Sequence, residues 1–194
     1  MTDREWDEKL HIRTEDADTS REDLHHCAYE PTPYSVLERL AQSGYLFPHN
    51  LLVDYGSGLG RTAIFLNHRV GCPVIGIERE QEFYEKALRN LRESGARDVH
   101  FLHQDAETYE VQTADCFYFF NPFSVTILRP VIRRILDSFY EYERSMKLFF
   151  YYPSDETVAY LMSEEELEFF DEIVCRDLFE GDDHRETILI FGIG

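Results

Sequence analysis

The stretch that most constrains the fold is residues 51–61, LLVDYGSGLGR, which leads into the helix-forming run TAIFL. Three apolar residues precede Asp54, and glycines then occupy alternate positions at Gly56, Gly58 and Gly60. Glycine takes positive φ values and lets a ligand approach where a Cβ atom would clash. We predict a strand, a tight turn and a helix. The turn would lie at the carboxyl end of the strand, where open α/β sheets bind nucleotide-like ligands.

Asp54 distinguishes this turn from a phosphate-binding loop, because a carboxylate facing the ligand would repel phosphate. A ligand that carries a cationic group would favour it. The dinucleotide fingerprint is G-x-G-x-x-G, whereas this turn reads G-x-G-x-G. An NAD-dependent dehydrogenase is therefore the weaker interpretation, although Glu78 at the end of the next apolar run would suit either cofactor.

Strand-like and helix-like runs alternate along the rest of the chain. The apolar runs predict strands at residues 74–78, 99–103, 114–120 and 147–152. The runs between them predict helices at residues 60–69 and 79–94 and from about Pro130. Two further runs, near 169–179 and 186–192, flank an acidic turn and predict a hairpin.

This order predicts an α/β fold, a doubly wound, mostly parallel Rossmann-like sheet of about seven strands with a C-terminal antiparallel hairpin. Right-handed crossovers would bring the ends of the first four strands to one edge of the sheet.

The chain has 194 residues and is most simply one domain. Residues 1–28 are polar and rich in charge, and we expect an acidic arm or lid ahead of a domain over 29–194. The N-terminus has no apolar signal region, and no run reaches the ~20 residues of a membrane span, so we expect a cytoplasmic protein. We expect no metal site, because His25-His26-Cys27 has no further ligands at suitable spacing.

The formal net charge of −19 repels phosphate backbones and disfavours nucleic acid as a partner. Arg129, Arg133 and Arg134 form the one basic cluster. They could hold an acidic substrate, but a solvated helix face paired with nearby acids is the more common arrangement.

Four motifs in order resemble those of class I S-adenosylmethionine-dependent methyltransferases. They are the Asp54 glycine turn, Glu78, Asp105-Ala106 and Asn121-Pro122-Phe123. The resemblance covers roughly residues 29–152, and each motif stands at a predicted strand end.

The resemblance implies a role for each of these positions toward S-adenosylmethionine. The glycine turn, including Ser57, would pass beneath the methionine part, and Asp54 would hold its ammonium group. Glu78 would accept hydrogen bonds from the ribose hydroxyls, and Arg79 would stack on the adenine. Asp105 and Ala106 would bind the adenine amino group and a ring nitrogen. Tyr29, Thr32 or Tyr34 would close the pocket from above.

Asn121-Pro122-Phe123 bears on the methyl acceptor. Methyltransferases that act on planar amino groups often carry Asn-Pro-Pro-aromatic here, where the Asn oxygen accepts from the amino group and the ring stacks on its plane. This chain has a single proline, and a turn whose Phe123 packs on the cofactor side is an equal alternative. Asn121 is also a candidate cofactor contact.

The sequence therefore predicts an S-adenosylmethionine-dependent methyltransferase with an unidentified acceptor. A protein side chain or a small molecule, with a planar amino group as one option, is favoured. A catalytically silent S-adenosylmethionine-binding module is the main alternative, and a nucleic-acid base methyltransferase is less expected.

Overall fold

The computed structural model describes residues 1–15, 30–121 and 123–194. Three features of the sequence analysis lie outside these residues: the His25-His26-Cys27 cluster, Tyr29 and Pro122. No helix within the described ranges is long and apolar enough to cross a membrane.

The described elements alternate as predicted. The helices are α1 (Asp3–Leu10), α2 (Tyr34–Gln42), α3 (Arg61–Val70), α4 (Gln81–Ser94), α5 (Val125–Glu141) and α6 (Asp155–Ser163). The strands are β1 (Leu52–Tyr55), β2 (Val74–Glu78), β3 (Val99–His103), β4 (Cys116–Phe120), β5 (Met146–Tyr151), β6 (Glu168–Val174) and β7 (Thr187–Ile193).

The strands form one sheet in the order β3-β2-β1-β4-β5-β7-β6. The first five strands are parallel, and β7 runs antiparallel to both β5 and β6. The structure thus confirms the predicted Rossmann-like sheet with its C-terminal hairpin. The order reverses direction next to β1, which leaves a crevice at the carboxyl ends of β1 and β4.

Helices cover both faces of the sheet, which explains why every residue of β1 is buried. One core cluster lies between the sheet and α1 to α4, and it contains Leu52, Phe65 and Phe101. The other lies beneath α5 and α6 and contains Val53 and Tyr55. Alternate residues of β1 therefore serve opposite cores.

The N-terminal arm contains a helix that packs on the core. Thr2 and Glu5 form a reciprocal capping box at its start. The Trp6 ring meets Phe65 edge-on, with the centroids 4.9 Å apart, and Leu10 is buried beside it. The expected boundary at residue 28 falls outside the described residues and stays a prediction.

Helix α5 corrects one sequence prediction. It begins at Val125 with Ser124 at its N-cap, so Pro130 lies inside the helix and not at its first position. The amides of Ile127 and Leu128 both donate to the Ser124 carbonyl, which closes the first turn before the proline. The prediction relied on the preference of proline for the first position of a helix. That preference was misleading here, because buried side chains before and after Pro130 stabilise a longer helix that includes the proline.

The glycine turn lies directly against β3. A Cβ atom at Gly60 would come 2.5 Å from the Phe101 ring, and one at Gly76 would come 2.5 Å from the same ring and 2.8 Å from Cβ of Ser57. Gly60 also has a φ of +86° at the N-cap of α3. Phe101 therefore packs in the space that two missing side chains leave, and this fixes the height of the turn above the sheet.

Gly76→Ala is expected to lower the free energy of unfolding by about 1–3 kcal/mol, because the added methyl group must displace a buried ring. Gly192→Ala is the matched control. Gly192 is also a strand glycine, but its nearest neighbour would be 3.9 Å away, so we expect a change within about 1 kcal/mol. Urea denaturation of both variants measures the difference, and equal destabilisation would contradict the packing argument.

Candidate active site

An open cleft lies at the carboxyl edge of the sheet, above the ends of β1, β2 and β4. Its empty volume, which includes space open to solvent, is about 1040 Å³. The predicted residues that line it are Asp54, Gly56, Ser57, Gly58, Glu78, Arg79, Asp105, Ala106, Asn121 and Phe123. Gly60 does not line the cleft, because it lies at the N-cap of α3 and faces the Phe101 ring.

The glycine turn is held by backbone hydrogen bonds to β2. The amides of Gly56 and Ser57 both donate to the Ile77 carbonyl at 3.0 Å. Gly56 and Gly58 have φ values of +76° and +52°, which a residue with a Cβ atom rarely adopts. The alternate glycines therefore allow a turn that bends back across the end of its own strand.

Glu78 ties the turn to the end of β2. One of its carboxylate oxygens accepts from the Gly58 amide at 2.8 Å and the other accepts from the Glu80 amide at 2.7 Å. Burial raises the pKa of Glu78, while these backbone hydrogen bonds act to lower it. Each carboxylate oxygen has more than one lone pair, so Glu78 can still accept from hydroxyl groups of a ligand.

Asp54 is a buried acid without a protein partner. Its Oδ2 atom is buried and has no hydrogen bond among the described residues. Burial, together with the nearby charge of Glu78, raises the pKa of Asp54 to about 8. A buried polar group without a partner destabilises the fold, and a cationic ligand would remove that penalty.

Two more buried polar atoms beside the cleft have no hydrogen-bond partner in the described structure, Oγ of Ser57 and Nη2 of Arg61. Both residues line the cleft. Arg61 was not among the predicted residues. A signal was present, because a cation at the first position of a helix is opposed by the helix dipole, and Arg61 opens α3.

Side chains from β4 form the far wall of the cleft. Tyr118 and Phe120 line it, whereas the sequence analysis placed both only in a predicted apolar strand. The Tyr118 hydroxyl is 3.1 Å from Oγ1 of Thr32. Thr32 therefore lies at the cleft as expected, whereas Tyr34 does not line it. Tyr34 is buried in the core, where its ring stacks on Trp6.

The ends of β4 and β5 share an unusual backbone conformation. Phe120 and Tyr151 are paired across the two strands, and the residues that follow them, Asn121 and Tyr152, have φ values of +39° and +52°. Non-glycine residues in this region are strained and cluster at functional sites. Asn121 also lines a second, smaller cavity, so it forms a wall between two spaces.

Phe123 also lines both cavities. It is buried, and its ring meets Phe119 edge-on at 6.4 Å. This packing agrees with the alternative in which Phe123 is a packing residue. Asn121, which lines both spaces, remains the candidate for contact with an acceptor.

Each arginine of the basic cluster contacts another group of the protein outside the cleft. The guanidinium of Arg129 stacks on Tyr160 at 4.5 Å, Arg133 pairs with Asp137 at 3.2 Å, and Arg134 donates to a backbone carbonyl. None of the three lines the cleft. Arg133 alone has the acidic partner on a solvated helix face that the sequence analysis favoured, whereas Arg129 and Arg134 contact an aromatic ring and a backbone carbonyl.

Asp54→Asn is expected to raise the free energy of unfolding, and the gain should grow with pH. The folded state raises the pKa of this carboxyl, so the native protein binds its proton more tightly than the unfolded chain. The wild type therefore loses stability as the pH rises from about 4 towards 8, and Asn does not titrate. We expect a gain of about 1–3 kcal/mol at pH 8 and less at pH 5. Urea denaturation at both pH values, with exposed Asp137→Asn as control, measures it; a gain independent of pH would contradict the argument.

Comparison with known proteins agrees with the fold. Residues 52–144 match a family model described as a methyltransferase domain. No curated protein matches the chain by sequence.

Solved structures superpose over most of the chain. An RNA methyltransferase from Salinibacter ruber, in complex with S-adenosyl-L-homocysteine, gives a TM-score of 0.60 at 20% identity over 84% of this chain and 94% of its own. An rRNA methylase from Streptococcus thermophilus gives 0.57 at 16% identity over 85% and 96%. Precorrin-6y C5,15-methyltransferase from Geobacter metallireducens gives 0.58 at 15% identity over 84% and 89%. At these identities the likeness shows the fold.

The family match begins at β1 and runs to the end of α5, so it includes the glycine turn, Glu78, Asp105 and Asn121. The seven-stranded sheet superposes on solved Rossmann-like methyltransferase structures. By its fold and by the match of residues 52–144, the chain is similar to the class I, Rossmann-like S-adenosylmethionine-dependent methyltransferases.

Proposed function

We propose that this methyltransferase binds S-adenosylmethionine in the cleft above β1 and transfers its methyl group to an amino group of a small molecule or a protein side chain. The three unpartnered polar atoms beside the cleft carry the cofactor assignment. They belong to a carboxyl, a hydroxyl and a guanidinium, on Asp54, Ser57 and Arg61. The amino-acid end of S-adenosylmethionine offers the complementary pair, an ammonium and a carboxylate.

The remaining lining residues suit the nucleoside end. Glu78 keeps lone pairs for the two ribose hydroxyls beside its backbone hydrogen bonds. Arg79, Asp105 and Ala106 line the cleft next to it and would contact the adenine.

Catalysis in this proposal is mainly positioning. When bound, S-adenosylmethionine supplies a methyl group activated by a sulfonium. The Asn121 side-chain oxygen would accept a hydrogen bond from the acceptor amino group, and this would direct the nitrogen lone pair at the methyl carbon. Tyr118 and Phe120 would exclude water from that side of the cleft. The strained backbone of Asn121 would hold the amide in place.

The acceptor class rests on charge. A net charge of −19 opposes association with a phosphate backbone, and the three clustered arginines already have partners. The fold is shared with proteins described as RNA methyltransferases and with a precorrin methyltransferase, so a nucleic-acid base is the second candidate. Transfer of a tritiated methyl group to total RNA, but not to protein or small-molecule fractions, would select it.

The catalytically silent binding module predicts a different result. Such a protein would bind S-adenosylmethionine by isothermal titration but would transfer no tritium to any lysate fraction. A folded protein that binds NADH and not S-adenosylmethionine would overturn the proposal altogether.

The affinity for S-adenosylmethionine is expected to fall as the pH is lowered from 7.5 to 6. Asp54 is mostly protonated in the free protein below about pH 8, and pairing with an ammonium requires its carboxylate. Binding therefore releases a proton, and the affinity should fall by up to about tenfold per pH unit. Titration calorimetry measures it. 5′-Methylthioadenosine lacks the amino-acid end and is the control; an equal pH dependence for both ligands would place the effect elsewhere.

Asn121→Ala is expected to leave the affinity for S-adenosylmethionine within about threefold and to lower methyl transfer by about 100-fold, because the acceptor would lose its alignment. Calorimetry and tritium transfer to the responsive fraction give the two values. A loss of affinity with normal turnover at saturating cofactor would favour the packing role of this turn.

A further inference from the structure

We infer that helix α1 belongs to the cofactor site, because Asp3 positions Arg61 for the carboxylate of the ligand. This inference rests on the proposed function. It adds a residue 58 positions away from Arg61 in the chain, in a segment that the sequence had suggested was an arm.

Asp3 connects three helices through its two carboxylate oxygens. One oxygen accepts from Nη1 of Arg61 at 2.6 Å, and the other accepts from the Tyr34 amide at 3.2 Å. Tyr34 opens α2, whose N-cap is Pro33 and supplies no side-chain hydrogen bond. Asp3 therefore caps α2 from another helix and at the same time pairs with the cation at the start of α3.

The guanidinium of Arg61 is fixed on several sides. Its Nε donates to Oγ1 of Thr14 at 2.6 Å, its Nη1 also donates to the Thr32 carbonyl at 3.3 Å, and its plane lies over the Tyr34 ring at 4.5 Å. These contacts come from the segment after α1 and from the segment at the start of α2. They leave Nη2 without a hydrogen bond among the described residues.

Nη2 is the donor that would serve a ligand. Asp7 lies 3.9 Å from it, but the Asp7 carboxylate already accepts from the Thr14 amide and hydroxyl and from the Tyr34 hydroxyl. Asp3 binds Nη1 only. The geometry therefore makes Asp3 a positioning residue and not a competitor of the ligand carboxylate.

The ion pair between Asp3 and Arg61 is not needed merely to hold α1 on the core. Trp6 and Leu10 already bury one face of the helix, and an ion pair with a buried partner contributes little net stability, because both charges lose water. The helix dipole of α3 disfavours a cation at its first position. A nearby carboxylate offsets the unfavourable position of Arg61, and Asp3 supplies this carboxylate.

Asp3→Asn tests the inference, with Glu8→Gln as a control that removes one charge from an exposed position of the same helix. S-Adenosylhomocysteine and 5′-methylthioadenosine are titrated into each variant by calorimetry. We expect Asp3→Asn to weaken S-adenosylhomocysteine by about 10- to 100-fold, the range for hydrogen bonds to charged groups. 5′-Methylthioadenosine has no carboxylate and should bind within about twofold of the wild type. Glu8→Gln should change neither.

A double variant separates positioning from folding. If Asp3 acts through Arg61, then Asp3→Asn should have no further effect on the S-adenosylhomocysteine affinity of Arg61→Gln. Where Arg61→Gln does not fold, the ratio of the two ligand affinities in Asp3→Asn alone decides.

Three results would overturn the inference: an equal loss for both ligands, tighter binding of S-adenosylhomocysteine, or no change in either affinity. A wild type that binds neither ligand would instead overturn the proposed function, and the inference with it.

Discussion

The hydrogen bond from the Gly58 amide to the Glu78 carboxylate is the interaction on which the site depends. It joins the glycine turn after β1 to the end of β2, so two segments that are 20 positions apart share one carboxylate. Phe101 supports the turn from below through the space left by Gly60 and Gly76. Together these contacts fix the floor of the cleft, and the Glu78 carboxylate oxygens keep further lone pairs for a ligand.

The buried polar atoms that have no hydrogen-bond partner in the described structure indicate which chemical groups a ligand would carry. Backbone amides of the turn are used on β2, whereas Asp54, Ser57 and Arg61 each keep a buried polar atom without a partner. Folding normally satisfies such atoms, and these three surround one cleft. Each of these groups therefore keeps one buried atom without a hydrogen bond among the described residues, and the backbone at Asn121 and Tyr152, at the ends of β4 and β5, has positive φ values.

Much of the fold could be predicted from the sequence, because the parallel strands are mostly apolar runs and a glycine or a polar residue stands at or just after the end of each of the first four. The same rule brought the strand-end residues Asp54, Glu78 and Asp105 to one edge. The cation at the first position of α3 was a local signal for Arg61, but its partner Asp3 lies 58 positions away in the chain and could not be paired with it from the sequence. Tyr118 and Phe120 were missed because a wall residue of a cleft and a core residue look alike in an apolar strand.

The unpartnered Asp54 carboxyl has a consequence for how long the protein persists in a cell. The buried groups proposed to bind the ligand lower the stability of the fold in its absence, and a ligand that binds only the native state raises that stability by mass action. Proteases act on the unfolded fraction, so a change of 1–2 kcal/mol in stability, roughly, alters abundance several-fold. The steady-state amount of this methyltransferase would therefore follow the supply of its own methyl donor.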